Sequence, residues 1–271
     1  MDPLVSIIIA SYNHAQFIKS TLDSVTSDTY PNKEIVIIDD GSVDHSADII
    51  HTWIGSNPNQ QVTFIARDNK GLCATLNELV EIAKGKYVLL LASDDFLVNN
   101  TIAERVEILE KSSKMVLVSD AEVIDNNGKL MHSSMLSNFH SVDKTKYYNA
   151  DSLLDEVIFK FSISGAVVIM NKDIFRVIGK YPPDLKAEDL YFYMQAAITD
   201  QLQFYDKIVS KYRIHENNTS GENPELLLTI LKTYKRLFFK IPGFTRKIKL
   251  IKRCVGIGVK APTTIIKALL K

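Results

Sequence analysis

Apolar residues follow two alternating patterns along the first third of the chain. Short β-rich runs at 5–10, 34–38, 62–66 and 87–92 alternate with stretches whose apolar residues fall three and four apart, at 15–27, 46–54 and 72–83. The first pattern predicts strands buried on both faces and the second predicts amphipathic helices. Their alternation predicts a parallel sheet joined by right-handed crossovers. Further along, the pattern predicts a strand at 115–120 and a hairpin at 122–129 turned by Asn127-Gly128. The segment 131–148 has no clear period and reads as a loop or partly mobile lid. A helix at 151–159, a strand at 166–170 and a short helix ending at Ile178 follow. Leu190, Tyr193, Met194, Ala197 and Ile198 then predict a helix opened by Glu188 and Asp189, and 203–205 and 208–214 read as two strands.

Polar residues cluster where the first four strands end. Tyr12 and Asn13 follow the first, Asp39 and Asp40 the second, Arg67 and Asn69 the third, Asp94 and Asp95 the fourth. Carboxyl ends of neighbouring parallel strands face one crevice, which is where open α/β sheets bind ligands. Each cluster alone reads equally well as a turn. Adjacent carboxylates at Asp94 and Asp95 repel unless a cation joins them, and oxygen ligands suit Mg²⁺ or Mn²⁺ bridging to a phosphate. The competing reading is a helix cap. The first strand lacks G-x-G-x-x-G and no G-x-x-x-x-G-K-[ST] occurs, so a nucleotide would be held by side chains and metal. Asp40 can accept from a base N–H and Tyr12 can stack on a base.

Composition is that of a globular protein, and 32 basic residues balance 32 acidic ones. That balance is uneven along the chain. No acidic residue follows Glu225, while 226–271 carries twelve basic ones, so an acidic body bears a basic tail. An acidic body argues against broad nucleic-acid binding. Cys73 and Cys254 lie far apart without metal-type spacing, as expected in a reducing compartment, and no secretory leader or membrane-spanning run is visible. In the tail, Phe244, Ile248, Ile251, Val255 and Val259 form an apolar stripe with Arg246, Lys247, Lys249 and Arg253 off it. Such a helix reads as lying in an anionic membrane surface. Packing on the acidic body, or against a second subunit, is the alternative. Beyond Pro262, residues 263–271 suggest a second short helix.

Several of these pieces together resemble the family 2 glycosyltransferases. They are 6–13 (SIIIASYN), Ile38-Asp39-Asp40-Gly41-Ser42 with Asp44, Asn69-Lys70-Gly71 with Asn77, Gly85-Lys86-Tyr87, and Ser93-Asp94-Asp95. The resemblance covers nearly all of the body and none of the tail. It implies a GT-A fold, a mostly parallel central sheet flanked by helices, and inverting transfer from a nucleoside-diphosphate sugar. The expected domain occupies 1–220, with an attachment tail at 221–271. By resemblance, Ala10, Tyr12, Asp40, Arg67, Asn69, Asp94, Arg213 and His215 bind the donor. Asp94, Asp95 and His215 hold Mg²⁺ or Mn²⁺, with Asp95 the expected direct ligand, although Ser93 stands where many members carry an Asp. Tyr212-Arg213 with His215, Asn218 and Ser220 is similar to a pattern that closes over the diphosphate in bacterial members. Spacing alone makes Glu188 and Asp189 a helix N-terminus. The resemblance makes Asp189 the general base and gives Glu188 the orienting of the acceptor. His132 and His140 are expected to be ordinary loop histidines.

The implied protein is a cytoplasmic enzyme on the inner face of the cell membrane. It uses a sugar nucleotide, a UDP-sugar first, and a glycan or lipid-linked acceptor in polysaccharide synthesis. A sugar nucleotidyltransferase is the first rival, but Ser11-Tyr12-Asn13-His14 is not the glycine-rich basic loop that a triphosphate needs. A non-catalytic membrane scaffold is the second, against which Asp95 and Asp189 both stand.

Overall fold

The structure is a computed structural model, and it describes residues 2–185, 188–216 and 224–260. Its first half runs β1 (Val5–Ser11), α1 (Ile18–Ser27), β2 (Lys33–Asp40), α2 (Ser46–Ser56), β3 (Val62–Arg67), α3 (Leu72–Ile82) and β4 (Tyr87–Leu90). Then come β5 (Phe96–Leu97), α4 (Ile102–Glu110), β6 (Val116–Ile124), β7 (Leu130–His132) and α5 (Ala150–Phe159). They are followed by β8 (Val168–Asn171), α6 (Ile174–Ile178), α7 (Glu188–Ile198), β9 (Leu202–Arg213), α8 (Pro224–Leu237) and α9 (Phe244–Lys260).

One sheet runs through the described residues in the order β3-β2-β1-β4-β8-β6-β9-β5, with β7 beside β6. The long ladders, β1 with β2 and β4, β2 with β3, and β6 with β9, are parallel. Antiparallel β8 sits between β4 and β6. Strand order reverses at β1, so the crevice opens at the carboxyl ends of β1 and β4.

Both faces of this sheet are covered. Val5, Ile7 and Ile9 of β1 pack with α1, α2 and α4 through Ile18, Leu22, Ile50, Trp53, Ile102 and Val106. Ile8 points the other way, toward Leu76 and Leu79 of α3 and a larger core from α5 and α7. Period-two alternation with apolar residues on both sides is why 7–10 lacks any polar position.

Two expectations change in the second half. The two strands expected at 203–214 are one, β9, whose pairing with β6 shifts register beside Asp120. The exposed polar run Asp206-Lys207 interrupts the ladder without ending it. The expected lid at 131–148 is instead packed down. Buried Asp120 accepts hydrogen bonds from Ser134 Oγ and the Leu136 N–H, and Lys144 lies 2.6 Å from it. Met135, Leu136, Val142 and Tyr147 are buried around this anchor.

The tail joins the same core. Leu231, Tyr234 and Leu237 of α8 are buried, and the Tyr234 hydroxyl donates to the Ile158 carbonyl. Helix α9 buries Leu250 and pairs Arg246 Nε with Asp155 at 2.5 Å. Its expected apolar stripe faces away, with Phe244 79% and Val255 60% exposed and Ile248 and Ile251 exposed between them. Val259, the remaining stripe residue, has its side chain outside the described residues, as does the short helix expected at 263–271. No helix among the described residues is long and apolar enough to cross a membrane.

Candidate active site

The loop after β1 is tied to the loop after β2. Asn13 takes a left-handed conformation (φ 54°), its N–H donates to Ser42 Oγ, and its side chain accepts from the Val43 N–H. Asp44 accepts from the N–H groups of Ala15 and Ser46, and Ser46 Oγ accepts from the His14 N–H. These bonds fix His14 at the mouth of the crevice. Gly41 has φ +77°, and a Cβ there would lie 2.7 Å from the Asn69 nitrogen, so only glycine fits between the two loops.

Asp40 lies at the end of β2. Its Oδ1 accepts from the Lys70 N–H at 2.8 Å and from Arg67, and its Oδ2 accepts from the Gly71 N–H at 2.9 Å. A carboxylate has about four acceptor positions, so one on Oδ2 remains for a base N–H. Arg67 is spread over Asp40, Glu78 and Thr75, so it braces Asp40 against α3. The exposed Asn69 side chain accepts from the Gly71 N–H, a turn role. Tyr12, just after β1, is 48% exposed, and Ala10 is half-buried near the end of β1.

At the end of β4, three ligand-type side chains converge. His14, Asp94 and His215 each offer an atom, all within 4.8 Å of one another. His215 Nε2 lies 2.9 Å from Asp94 Oδ2 and His14 Nε2 lies 4.0 Å from it. His14 Nδ1 shares a 2.7 Å hydrogen bond with Ser93 Oγ, which leaves Nε2 for the centre. Burial holds the His14 pKa down against the opposing pull of Asp94, favouring the neutral imidazole that binds metals. Two imidazoles and a carboxylate are a donor set suited to Mn²⁺ more than to Mg²⁺, which prefers oxygen alone. The residues therefore fit a divalent ion.

His14 was invisible to sequence reasoning, and Ser93, the departure from D-x-D, is what orients it. Asp95 is buried beneath, where its Oδ1 accepts from the Arg213 N–H at 2.8 Å. Burial first, then the Asp94 charge, push its pKa well above the ordinary carboxylate range. Arg213 is buried too. Its guanidinium lies 4.7 and 4.8 Å from the Phe17 and Phe96 rings and donates to the carbonyls of Asp94, Asp125 and Asn126. The structure thus builds Asp95 and Arg213 into the floor that carries Asp94 and His215.

Asp189 stands in the first turn of α7 and accepts from the Leu190 N–H. Burial outweighs that bond and pushes its pKa up to about 6. A carboxylate at that value is both ionised at neutral pH and basic enough to take a proton. Glu188 opens the same helix, with its side chain outside the described residues.

The family model described as glycosyl transferase family 2 matches residues 6–177, well over half the chain. The chain belongs to that family. A glycosyltransferase of Rickettsia prowazekii whose own role is uncharacterised is 27% identical over 253 residues, spanning 91% of this chain and 73% of the relative. The poly-beta-1,6-N-acetyl-D-glucosamine synthase of Staphylococcus epidermidis is 27% identical over 204 residues, spanning 74% of this chain and 46% of the synthase. Among solved structures, S. aureus TarS 1–349 in complex with UDP superposes with TM-score 0.67 at 18% identity, covering 93% of this chain and 70% of TarS. A mannosyltransferase from Pyrobaculum calidifontis in complex with GDP-Man and Mn²⁺ gives TM-score 0.70 at 16% identity, covering 95% and 69%. The expected GT-A fold, and with it a glycosyltransferase of this family, is borne out.

Proposed function

We propose that this glycosyltransferase moves a sugar from a nucleoside-diphosphate sugar, a UDP-sugar first, to a hydroxyl of a glycan or lipid-linked glycan in polysaccharide synthesis. The observation that carries it is the meeting of His14, Asp94 and His215 on the same crevice edge as the open acceptor position of Asp40. Asp40 takes the base N–H and Tyr12 covers the base. His14, Asp94 and His215 would hold Mn²⁺ or Mg²⁺, which when bound neutralises charge on the departing diphosphate. The relatives support the donor class: the S. epidermidis enzyme is named for a polymer of N-acetylglucosamine, and TarS is also known in complex with UDP-GlcNAc.

Asp189 removes the acceptor hydroxyl proton as that oxygen attacks the anomeric carbon. The carbon–oxygen bond to the diphosphate breaks, its electron pair leaves with the diphosphate, and the anomeric configuration inverts. Arg213 and Asp95 keep the two ligands Asp94 and His215 in place. Glu188, on the same turn as Asp189, orients the acceptor.

The enzyme works on the inner face of the cell membrane, held there by α9. One face of α9 is fixed to the body, and the opposite face presents Phe244, Ile248, Ile251 and Val255 with Lys247 and Lys252 along its flanks. Each lysine near an anionic leaflet adds about 1 kcal/mol. The transferase reading is tested by binding and hydrolysis of UDP-, GDP- and dTDP-sugars with Mn²⁺ or Mg²⁺, then with chelator. One donor should bind only with metal, and Asp94→Ala should lose it. A crevice that binds no nucleotide under any of these conditions would leave a non-catalytic scaffold as the better account.

A further inference from the structure

Helix α3 carries two rows of polar side chains, and the donor pocket uses only one. On that row, the Gly71 N–H leading into the helix, Thr75 and Glu78 hold Asp40 and Arg67. The other row is Cys73, Asn77 and Glu81, four residues apart and so stacked along one face. All three grip the segment 180–185 that leads into α7. Cys73 Sγ–H donates to the Leu185 carbonyl at 3.0 Å, and Glu81 pairs with Lys180. Asn77 makes the fuller contact. Its Nδ2 donates to the Tyr181 carbonyl at 2.9 Å, and its Oδ1 accepts from the Tyr181 N–H at 3.0 Å. One side chain thereby satisfies both backbone polar groups of a buried residue.

The Tyr181 ring continues the contact. It stacks on Phe192 with centroids 4.6 Å apart and planes at 28°, and Phe192 lies one turn after Asp189 on α7. The Gln195 side chain, one turn further, donates to the Ile178 carbonyl. A rigid path therefore runs from the donor-base pocket through α3, Asn77 and Tyr181 to the helix that presents Asp189.

We propose that Asn77 is a positioning residue for transfer: through it, α3 sets Asp189 relative to the bound donor. The inference rests on reading Asp189 as the general base. Asn77 spends its amide on the Tyr181 backbone, so its removal should leave donor binding alone and misplace the base, and misplacement by about 1 Å can cost on the order of a hundredfold.

The test uses the full chain with Mn²⁺: UDP affinity by calorimetry, turnover of UDP-, GDP- and dTDP-sugars to free nucleotide, and deuterium uptake across 178–190. In Asn77→Ala, UDP affinity should stay within twofold, turnover should fall at least tenfold, and uptake across 178–190 should rise. Asn77→Asp keeps the acceptor for the Tyr181 N–H but sets a carboxylate oxygen against the Tyr181 carbonyl, so it should fall at least as far as Asn77→Ala. Glu81→Ala removes an exposed ion pair and should match the wild type. Unchanged uptake in both Asn77 variants, or raised uptake with full turnover, overturns the inference while leaving the transferase reading intact. So does a loss of UDP affinity in proportion to turnover, which marks general damage. A wild type that turns over no sugar nucleotide overturns the transferase reading, and this role with it.

Discussion

Asp189→Asn separates chemistry from binding and should raise stability as it abolishes turnover. The carboxyl pKa stands at about 6 against an ordinary 3.8, because burial penalises the charged form. The folded state therefore binds the proton more tightly than the unfolded state. Stability falls as pH rises from about 4 to 6, and the penalty is complete above that window. Two units correspond to about 3 kcal/mol. Because the residue is only half-buried, solvent screening reduces this to roughly 1–2 kcal/mol. Asparagine carries no such penalty. At pH 7.5 the variant should melt roughly 2–6 °C above the wild type, and the gap should close as pH is lowered to 4. Its donor affinity should be unchanged, and its turnover should fall by about 10²–10⁴. In the wild type, turnover should rise with pH through about 6, reaching roughly a tenth of its plateau at pH 5. The assays are calorimetric melting at several pH values and nucleotide release from the preferred donor. A melting gap that ignores pH, or a variant that keeps its turnover, would refute the reasoning.

His14→Ala should weaken Mn²⁺ binding, measured with UDP present, at least tenfold; unchanged affinity would remove His14 from the ligand set. Ser93→Ala should weaken it less, since Ser93 only orients that imidazole. Arg67→Ala leaves buried Asp40 with its two backbone donors alone and should cost about 3 kcal/mol of stability, with UDP affinity falling tenfold or more; intact affinity would show that Asp40 does not need the brace. The double variant Ile251→Ser/Val255→Ser should lose about 3 kcal/mol of vesicle binding, taking about 1.5 kcal/mol per side chain, with melting unchanged because both side chains are already exposed. Sedimentation with phosphatidylglycerol vesicles reads this, and equal binding of wild type and variant would dismiss the stripe as a membrane face.

The parallel half of the fold was legible because its strands are buried on both faces and its polar residues fall at their ends. Val5, Ile7 and Ile9 serve one face and Ile8 the other, a pattern that few other elements produce. The second half was harder to read for a physical reason. An apolar run such as 166–170 fixes burial and says nothing about direction, so the antiparallel insertion of β8 between β4 and β6 left no trace in it. The anchor at Asp120 was hidden because one buried carboxylate replaces the regular apolar spacing that a packed segment usually shows.

The site divides the same way. Asp40 and Asp94 could be placed on one crevice edge because strand ends converge by topology, whereas His14 enters through a turn whose shape depends on Asn13, Ser42, Asp44 and Ser46 together. No local pattern encodes an imidazole direction set by hydrogen bonds from three segments. The tail gives the converse lesson. Its strongest sequence feature, the stripe from Phe244 to Val255, is the face it does not bury, while the face it buries is held by Leu250, by Arg246 on Asp155 and by Arg253 on the Phe159 carbonyl. The docking reading of the basic tail therefore applies to one face, and the membrane contact proposed above concerns the other. A helix whose docking is carried by ion pairs and a carbonyl contact keeps its apolar residues available, and that is the arrangement a body-anchored membrane contact requires.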